Sequence, residues 1–167
     1  MKRVLLTGMS ATGKSSVTSE LATRGYKAVD TDCDGWSELV DVPANRGQAG
    51  VPVPGGQDWL WQEDRIARLL STEDADVLFV SGGASNQGKF YRQFDHVILL
   101  TTPTSAMTER LVARTNNPYG KHPDELARIL ALKQTVEPLL RRVADLEIDT
   151  SIPLDQVVAK ILDLVLR

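Results

Sequence analysis

Short apolar runs alternate with helical stretches along this chain. Val4-Leu5-Leu6 is the first run, and it stops at a glycine loop. Unbroken apolarity over so few residues predicts a strand buried on both faces, as in a parallel sheet. From Lys14 the pattern turns helical, with Val17 and Leu21 four apart, and Gly25 predicts the end of that helix. Tyr26–Val29 predicts a second strand that runs into Asp30-Thr31-Asp32. DWLWQEDRIARLL, Asp58 to Leu70, predicts a helix with Ile66, Leu69 and Leu70 on its inner face. Val77–Val80 and Val97–Leu100 predict two more strands, and Ser105–Arg114 a helix. Pro123 and Asp124 open what the pattern predicts as one long helix to Ala144. Glu147–Asp149 predicts a last strand and Leu154–Leu166 a last helix. Strand and helix thus alternate about five times, which predicts the α/β class: a parallel sheet with helices on both faces.

One stretch departs from this pattern. VPANRGQAGVPVPGG, residues 42–56, holds three prolines and four glycines and predicts no regular element over most of its length. A connection this long inside a compact domain is usually functional or mobile. The length of 167 residues fits a single domain. A net charge of −3 argues against a general nucleic-acid binder, which carries a basic excess. The single cysteine, Cys33, leaves no intrachain disulfide to form. Thr7, Gly8 and Ser10 interrupt the apolar N-terminus, and no apolar span approaches membrane length. The expectation is a cytoplasmic protein without a membrane segment; the composition does not predict an oligomeric state.

The first chemistry lies in the glycine loop. Gly8-Met9-Ser10-Ala11-Thr12-Gly13-Lys14-Ser15 fits G-x-x-x-x-G-K-[ST], directly after a strand and directly before a helix. Such a loop turns backbone N–H groups inward around phosphate oxygens, and the helix N-terminus adds a favourable dipole. Gly8, Ala11, Thr12, Gly13, Lys14, Ser15 and Ser16 are the candidate nucleotide contacts. Lys14 is expected to reach the terminal phosphates, and the Ser15 hydroxyl to ligate Mg²⁺, a cation that prefers oxygen. The cofactor expectation is therefore ATP with Mg²⁺.

Asp30 and Asp32 leave the second strand on the same side, at the edge where open α/β sheets bind ligands. One can assist the metal and the other can accept the proton of an attacking hydroxyl, with Asp34 a third candidate. Ser81-Gly82-Gly83 ends the third predicted strand at this edge, where glycine lets a ligand approach the backbone. Ser81 stands where many phosphate-loop proteins place a metal-assisting carboxylate, so Asp30 is the nearest acid for that task. Arg110, Arg114 and Lys121 bracket the TNNPYGKH break at 115–122, a candidate lid of about 114–123 that covers the phosphates. Trp36, Trp59 and Trp61 flank the Pro/Gly loop and are candidate walls of an acceptor pocket or core residues. Cys33 is not expected to act as a nucleophile, and His96 and His122 lack metal-ligand spacing.

Taken together, "GMSATGKSS", "VDTD" at 29–32, "VLFVSGGA" at 77–84, "ERL" before the lid and "EPLLRRVADLEIDT" at 137–150 resemble the shikimate-kinase-like P-loop kinases, within the class that includes nucleoside monophosphate kinases. The resemblance spans nearly the whole chain. It implies a three-layer P-loop fold with a five-stranded parallel sheet, an acceptor-binding subdomain at about 33–71 and a closing lid. It implies ATP and Mg²⁺, with Asp30 the magnesium-associated acid, Asp32 the acid on the acceptor hydroxyl, Gly82 and Gly83 on the acceptor, and Arg110 and Pro153 around adenine. The pattern also departs from the family. The acceptor-helix arginine is replaced by Leu60, after Trp59 and aligned on Glu63. The arginine two before Pro138 is Val136, the third glycine is Ala84, and the lid arginine before Pro118 is Asn117.

A buried acceptor carboxylate without its cation is costly, so shikimate is not the expected acceptor. The leading expectation is an ATP-dependent kinase for a hydroxyl of a small molecule, catalysed by Lys14, Asp32 and Arg110 or Arg114. A nucleoside or nucleotide kinase, using Arg46, Arg65 or Arg92 for the acceptor phosphate, is an alternative. A non-catalytic ATP-binding module is another.

Overall fold

In the computed structural model, which describes residues 1–41, 57–115 and 118–167, a five-stranded parallel sheet forms the centre. Its strands are β1 (Lys2–Thr7), β2 (Lys27–Asp30), β5 (Val77–Ser81), β6 (His96–Thr101) and β7 (Leu146–Asp149), in the order β2-β5-β1-β6-β7. A separate antiparallel ribbon pairs β3 (Ser37–Asp41) with β4 (Gln57–Trp61). The sheet is the one expected for the fold. The central strands are apolar runs because both faces are covered: every residue from Val4 to Thr7 and from Val77 to Ser81 is buried.

One face carries Val4, Leu6, Phe79, Ile98, Leu100 and Ile148. It is covered by Val17 and Leu21 of α1 (Lys14–Thr23) and by Val157, Val158, Ile161 and Val165 of α6 (Leu154–Val165). The opposite face carries Leu5, Leu78, Val80 and Val97 under Ile66 and Leu70 of α2 (Glu63–Ser71), Trp61, and Phe90 of a 3₁₀ helix at Gln87–Gln93. Leu99, on this second face, meets Met107 and Leu111 of α3 (Thr104–Ala113), Ile129 of α4 (Pro123–Thr135) and Leu140 of α5 (Glu137–Val143).

Two expected elements differ from the structure. Asp58–Trp61 is strand, not the first turn of a helix, because it pairs with Ser37–Asp41 in the register Leu39↔Trp59 and Ser37↔Trp61. The helix starts at Glu63, where Glu63 and Asp64 place negative charge in the first turn. The long helix expected from Pro123 to Ala144 is two helices that meet at Val136. Pro138 lacks the N–H that would bond back to Gln134, and its ring crowds that carbonyl, so the first helix stops. Residues 42–56, Arg46 among them, and Asn117 of the lid lie outside the described residues.

Candidate active site

The glycine loop joins β1 to α1 and is shaped by close backbone approach. Gly8 has φ +153°, and a Cβ there would stand 2.3 Å from the Leu100 carbonyl oxygen. Thr12 Oγ1 donates to Met9 O at 2.8 Å and closes the turn. Gly13 caps α1 with no side-chain hydrogen bond, which leaves first-turn N–H groups for an anion. Lys14 Nζ donates to Gly8 O at 2.9 Å and Met9 O at 2.8 Å, so its ammonium lies across the loop mouth. Burial pulls its pKa below the ordinary lysine value; Asp32 and Asp30 pull it back up and Arg114 presses it down.

Strand ends β2 and β5 are laced together beside this loop. Thr31 Oγ1 donates to Ser81 O at 2.7 Å, and Trp61 Nε1 donates to Thr31 Oγ1 at 2.9 Å. Ser15 Oγ donates to Asp30 Oδ2 at 2.6 Å, and Asp30 Oδ1 accepts the Asp32 N–H at 3.0 Å. Ser81 Oγ is buried without a partner among the described residues. Strand alternation puts Ser81 on the same sheet face as Phe79 and Leu6, the face that α1 covers. Ser15 and Asp30, with Ser81 the sheet partner of Asp30, offer hard oxygens of the kind that suits Mg²⁺.

Asp32 is an exposed residue, and it lines a cleft of about 760 Å³ whose walls take part of the hydration of its carboxyl. Burial pushes that carboxyl above the usual aspartate value. Lys14 pulls it back, Asp30 pushes it up, and hydrogen bonds from the Gly83 backbone and the Trp59 side chain pull it down. The cleft runs from Thr7, Gly8 and Lys14 to Asp58 and Trp59 on the ribbon, and to Arg128, Leu132 and Val136 on the far wall.

The other expected site residues divide between cleft and scaffold. Gly83 and Trp59 line the cleft. Gly82, at φ +146°, supports it from behind: a Cβ there would stand 2.0 Å from Thr31 Oγ1. Trp61 is core, 1% exposed. Trp36 is not brought into the cleft; its ring packs under the Arg65 guanidinium, 4.1 Å from the centroid. Arg65 also holds Asp34 O and Gly35 O, each at 2.8 Å, and Asp34 serves that turn at φ +56°. Arg92 is exposed in the last turn of the 3₁₀ helix.

Arg110 grips the outside of the phosphate loop, donating to Ala11 O at 3.2 Å and to Thr150 O at 2.6 Å, close to Pro153, which caps α6. Arg114 is the lid-side cation that Lys14 feels; it donates to Tyr119 O, and its buried Nε has no partner among the described residues. Ser16 is exposed on the first turn of α1, and Lys121 is exposed beyond the lid glycine, Gly120. Burial and the acids Asp30, Asp34 and Asp32 push the Cys33 thiol up, so it is a poor source of thiolate.

The sequence reading missed three contributors. Asp58 is 6% exposed and lines the cleft, hidden earlier by the helix assigned over it. Gln87 ties the glycine turn to the end of β1, accepting the Ala84 N–H at 3.1 Å and donating to Thr7 Oγ1 at 3.2 Å. Arg128 had a legible signal: with Leu132 and Val136 it forms an i, i+4, i+8 stripe on one helix face.

Residues 4–131 match the family described as an AAA domain. A shikimate kinase of Halorhodospira halophila is 29% identical over 160 residues, covering 89% of this chain and 84% of its own. One of Neisseria gonorrhoeae is 25% identical over 159 residues, covering 89% and 88%. Among solved structures, shikimate kinase from Acinetobacter baumannii in complex with shikimate superposes with a TM-score of 0.64 at 21% identity, over 99% of this chain and 93% of that one. A gluconokinase from Sinorhizobium meliloti superposes with a TM-score of 0.57 at 20% identity, over 97% and 90%. With a phosphate loop leading into α1, strand order β2-β5-β1-β6-β7 and a match over most of its length, this chain belongs to the AAA-domain family of P-loop proteins and is a shikimate-kinase-like member of it.

Proposed function

We propose that the protein is an ATP-dependent kinase that phosphorylates a hydroxyl of a small molecule. The observation that carries this reading is the pairing of Lys14 with Asp32 at the mouth of one cleft. It puts a phosphate-binding cation and a carboxylate with a raised pKa on either side of one space. ATP binds with its phosphates against the N–H groups of Gly8–Ser16. Lys14 exchanges Gly8 O and Met9 O for phosphate oxygens, and Arg110 with Pro153 flanks the base. Ser15, with Asp30 and Ser81 behind it, would hold Mg²⁺, which would neutralise charge on the phosphates.

The acceptor hydroxyl gives its proton to the Asp32 carboxylate as its oxygen bonds the γ-phosphorus. The bond from that phosphorus to the bridging oxygen breaks, and ADP leaves with the electron pair. Lys14 and Arg114 face the charge that develops. Gly83 N–H and Trp59 keep the Asp32 carboxylate aimed before the step.

Shikimate stays among the candidate acceptors. Leu60 and Val136 stand where the family pattern has arginines, but Arg128 brings a guanidinium to the same cleft. The test is transfer of labelled phosphate from γ-labelled ATP to a panel of hydroxy acids, sugars, polyols, nucleosides and nucleoside monophosphates. One labelled acceptor supports the reading; tight ATP binding with no labelled product from any class contradicts it.

A further inference from the structure

Arg128 lines the cleft, and its buried Nε has no hydrogen-bond partner among the described residues. Its guanidinium makes no ion pair among the described residues. Its surroundings are apolar: Leu132 and Val136 lie on the same helical stripe, and Leu139 and Leu140 follow on α5. Arg128 is half-buried, and a buried guanidinium N–H left without an acceptor is costly. Glu137, a buried carboxylate on α5, is already shared by Lys133 at 3.2 Å and Arg141 at 3.1 Å. Asp58, on the ribbon, accepts the Trp59 N–H at 2.8 Å.

We propose that Arg128 is a specificity-determining residue that binds an anionic group of the acceptor, and that this group is a carboxylate. The inference rests on the kinase reading in naming the bound molecule an acceptor. The charge count selects the carboxylate. Lys14 and Arg128 are the two cations lining the cleft among the described residues, and Lys14 faces Asp32 and Asp30. A phosphate ester, with about −1.5 to −2 charges, would need a second cation beside Arg128. A carboxylate carries one charge and matches the guanidinium fork with two parallel hydrogen bonds. The apolar stripe then receives the hydrocarbon body of the acceptor.

The test is equilibrium binding to the full chain, read by calorimetry without turnover. Shikimate and D-gluconate are the acid probes, methyl shikimate and D-glucitol their uncharged counterparts, and a hexose phosphate the dianionic probe. At least one acid is expected to bind tighter than its counterpart by about tenfold, the worth of one charge-assisted hydrogen bond. Arg128→Gln, which keeps most of the apolar stem, removes that preference and leaves ATP affinity and the affinity of the uncharged probes unchanged. Arg128→Lys restores part of the preference, since a point charge replaces the fork. The proposal is overturned if no acid is preferred, if the hexose phosphate binds best, or if Arg128→Gln keeps the preference. Failure of the kinase reading looks different: the acid preference and its loss in Arg128→Gln persist, but no labelled product forms.

Discussion

Gly82 is fitted against Thr31. A Cβ at Gly82 would stand 2.0 Å from Thr31 Oγ1, and that same hydroxyl bonds Ser81 O and the Trp61 indole. The contact draws the glycine turn onto the end of β2 and so carries the Gly83 N–H to the Asp32 carboxyl. Gly82→Ala must move Thr31 and also bears a left-handed φ of +146°. It is expected to destabilise the fold by about 1–3 kcal/mol. It should also lower the rate of phosphate transfer while leaving ATP affinity unchanged, which thermal melting and steady-state kinetics check together.

The Asp32 carboxyl sets an acid limb. A base must be deprotonated to act, and burial holds this one above the ordinary aspartate value. Activity should therefore fall with acid at a pH above the usual carboxylate range. Trp59→Phe removes a hydrogen bond that favours the charged form, so the limb moves to still higher pH. A pH–rate profile of the two proteins measures this. The stability sign runs the other way. A carboxyl raised in the folded state contributes stability below its unfolded pKa, and that contribution is lost as pH rises through the folded value.

Ser15 and Asp30 share a 2.6 Å hydrogen bond beside the unpartnered Ser81 hydroxyl. Ser15→Ala and Asp30→Asn are each expected to raise the Mg²⁺ concentration needed for half-maximal turnover. Binding of metal-free ATP should change far less. Titration of Mg²⁺ at fixed ATP reads the difference, and chelation of the metal should abolish transfer by the native chain.

The two lid-side arginines separate by effect. Arg110 holds Ala11 O and Thr150 on the outside of the loop, so Arg110→Ala should weaken ATP binding with little loss of kcat. Arg114 faces Lys14, so Arg114→Ala should lower kcat, by roughly 10- to 1000-fold for a cation on a transferring phosphoryl group. Kinetics at saturating acceptor distinguish the two.

Local runs carry most of the sheet in the sequence. Val4–Leu6, Val77–Val80 and Val97–Leu100 needed nothing but their own apolarity, because a strand buried on both faces has no polar positions. The phosphate loop, Asp30 and Asp32 were equally local. Asp58–Trp61 was not: its strand exists because Ser37–Asp41 pairs with it, a partner separated by the Pro/Gly stretch. The break at Val136 was legible in Pro138 but was overridden by the helical periodicity on either side. Trp36 and Trp59 look alike in the sequence. Tertiary placement sends one under Arg65 and the other to Asp32. The stripe of Arg128, Leu132 and Val136 is legible in the sequence, but that it lines the same cleft as Asp58 and Trp59 of the ribbon is set by tertiary packing.

The most direct measurement is phosphate transfer by Asp32→Asn, set beside its ATP affinity and its melting temperature. The substitution keeps the size of the side chain and removes the base. Transfer should fall roughly 100- to 10 000-fold, the usual worth of a positioned base. ATP should bind as it does to the native chain, and the variant should melt no lower at neutral pH, because the carboxyl it loses is one that burial disfavours in its charged form. Native rates of transfer in Asp32→Asn would contradict the role of Asp32 and, with it, the catalytic reading of the cleft.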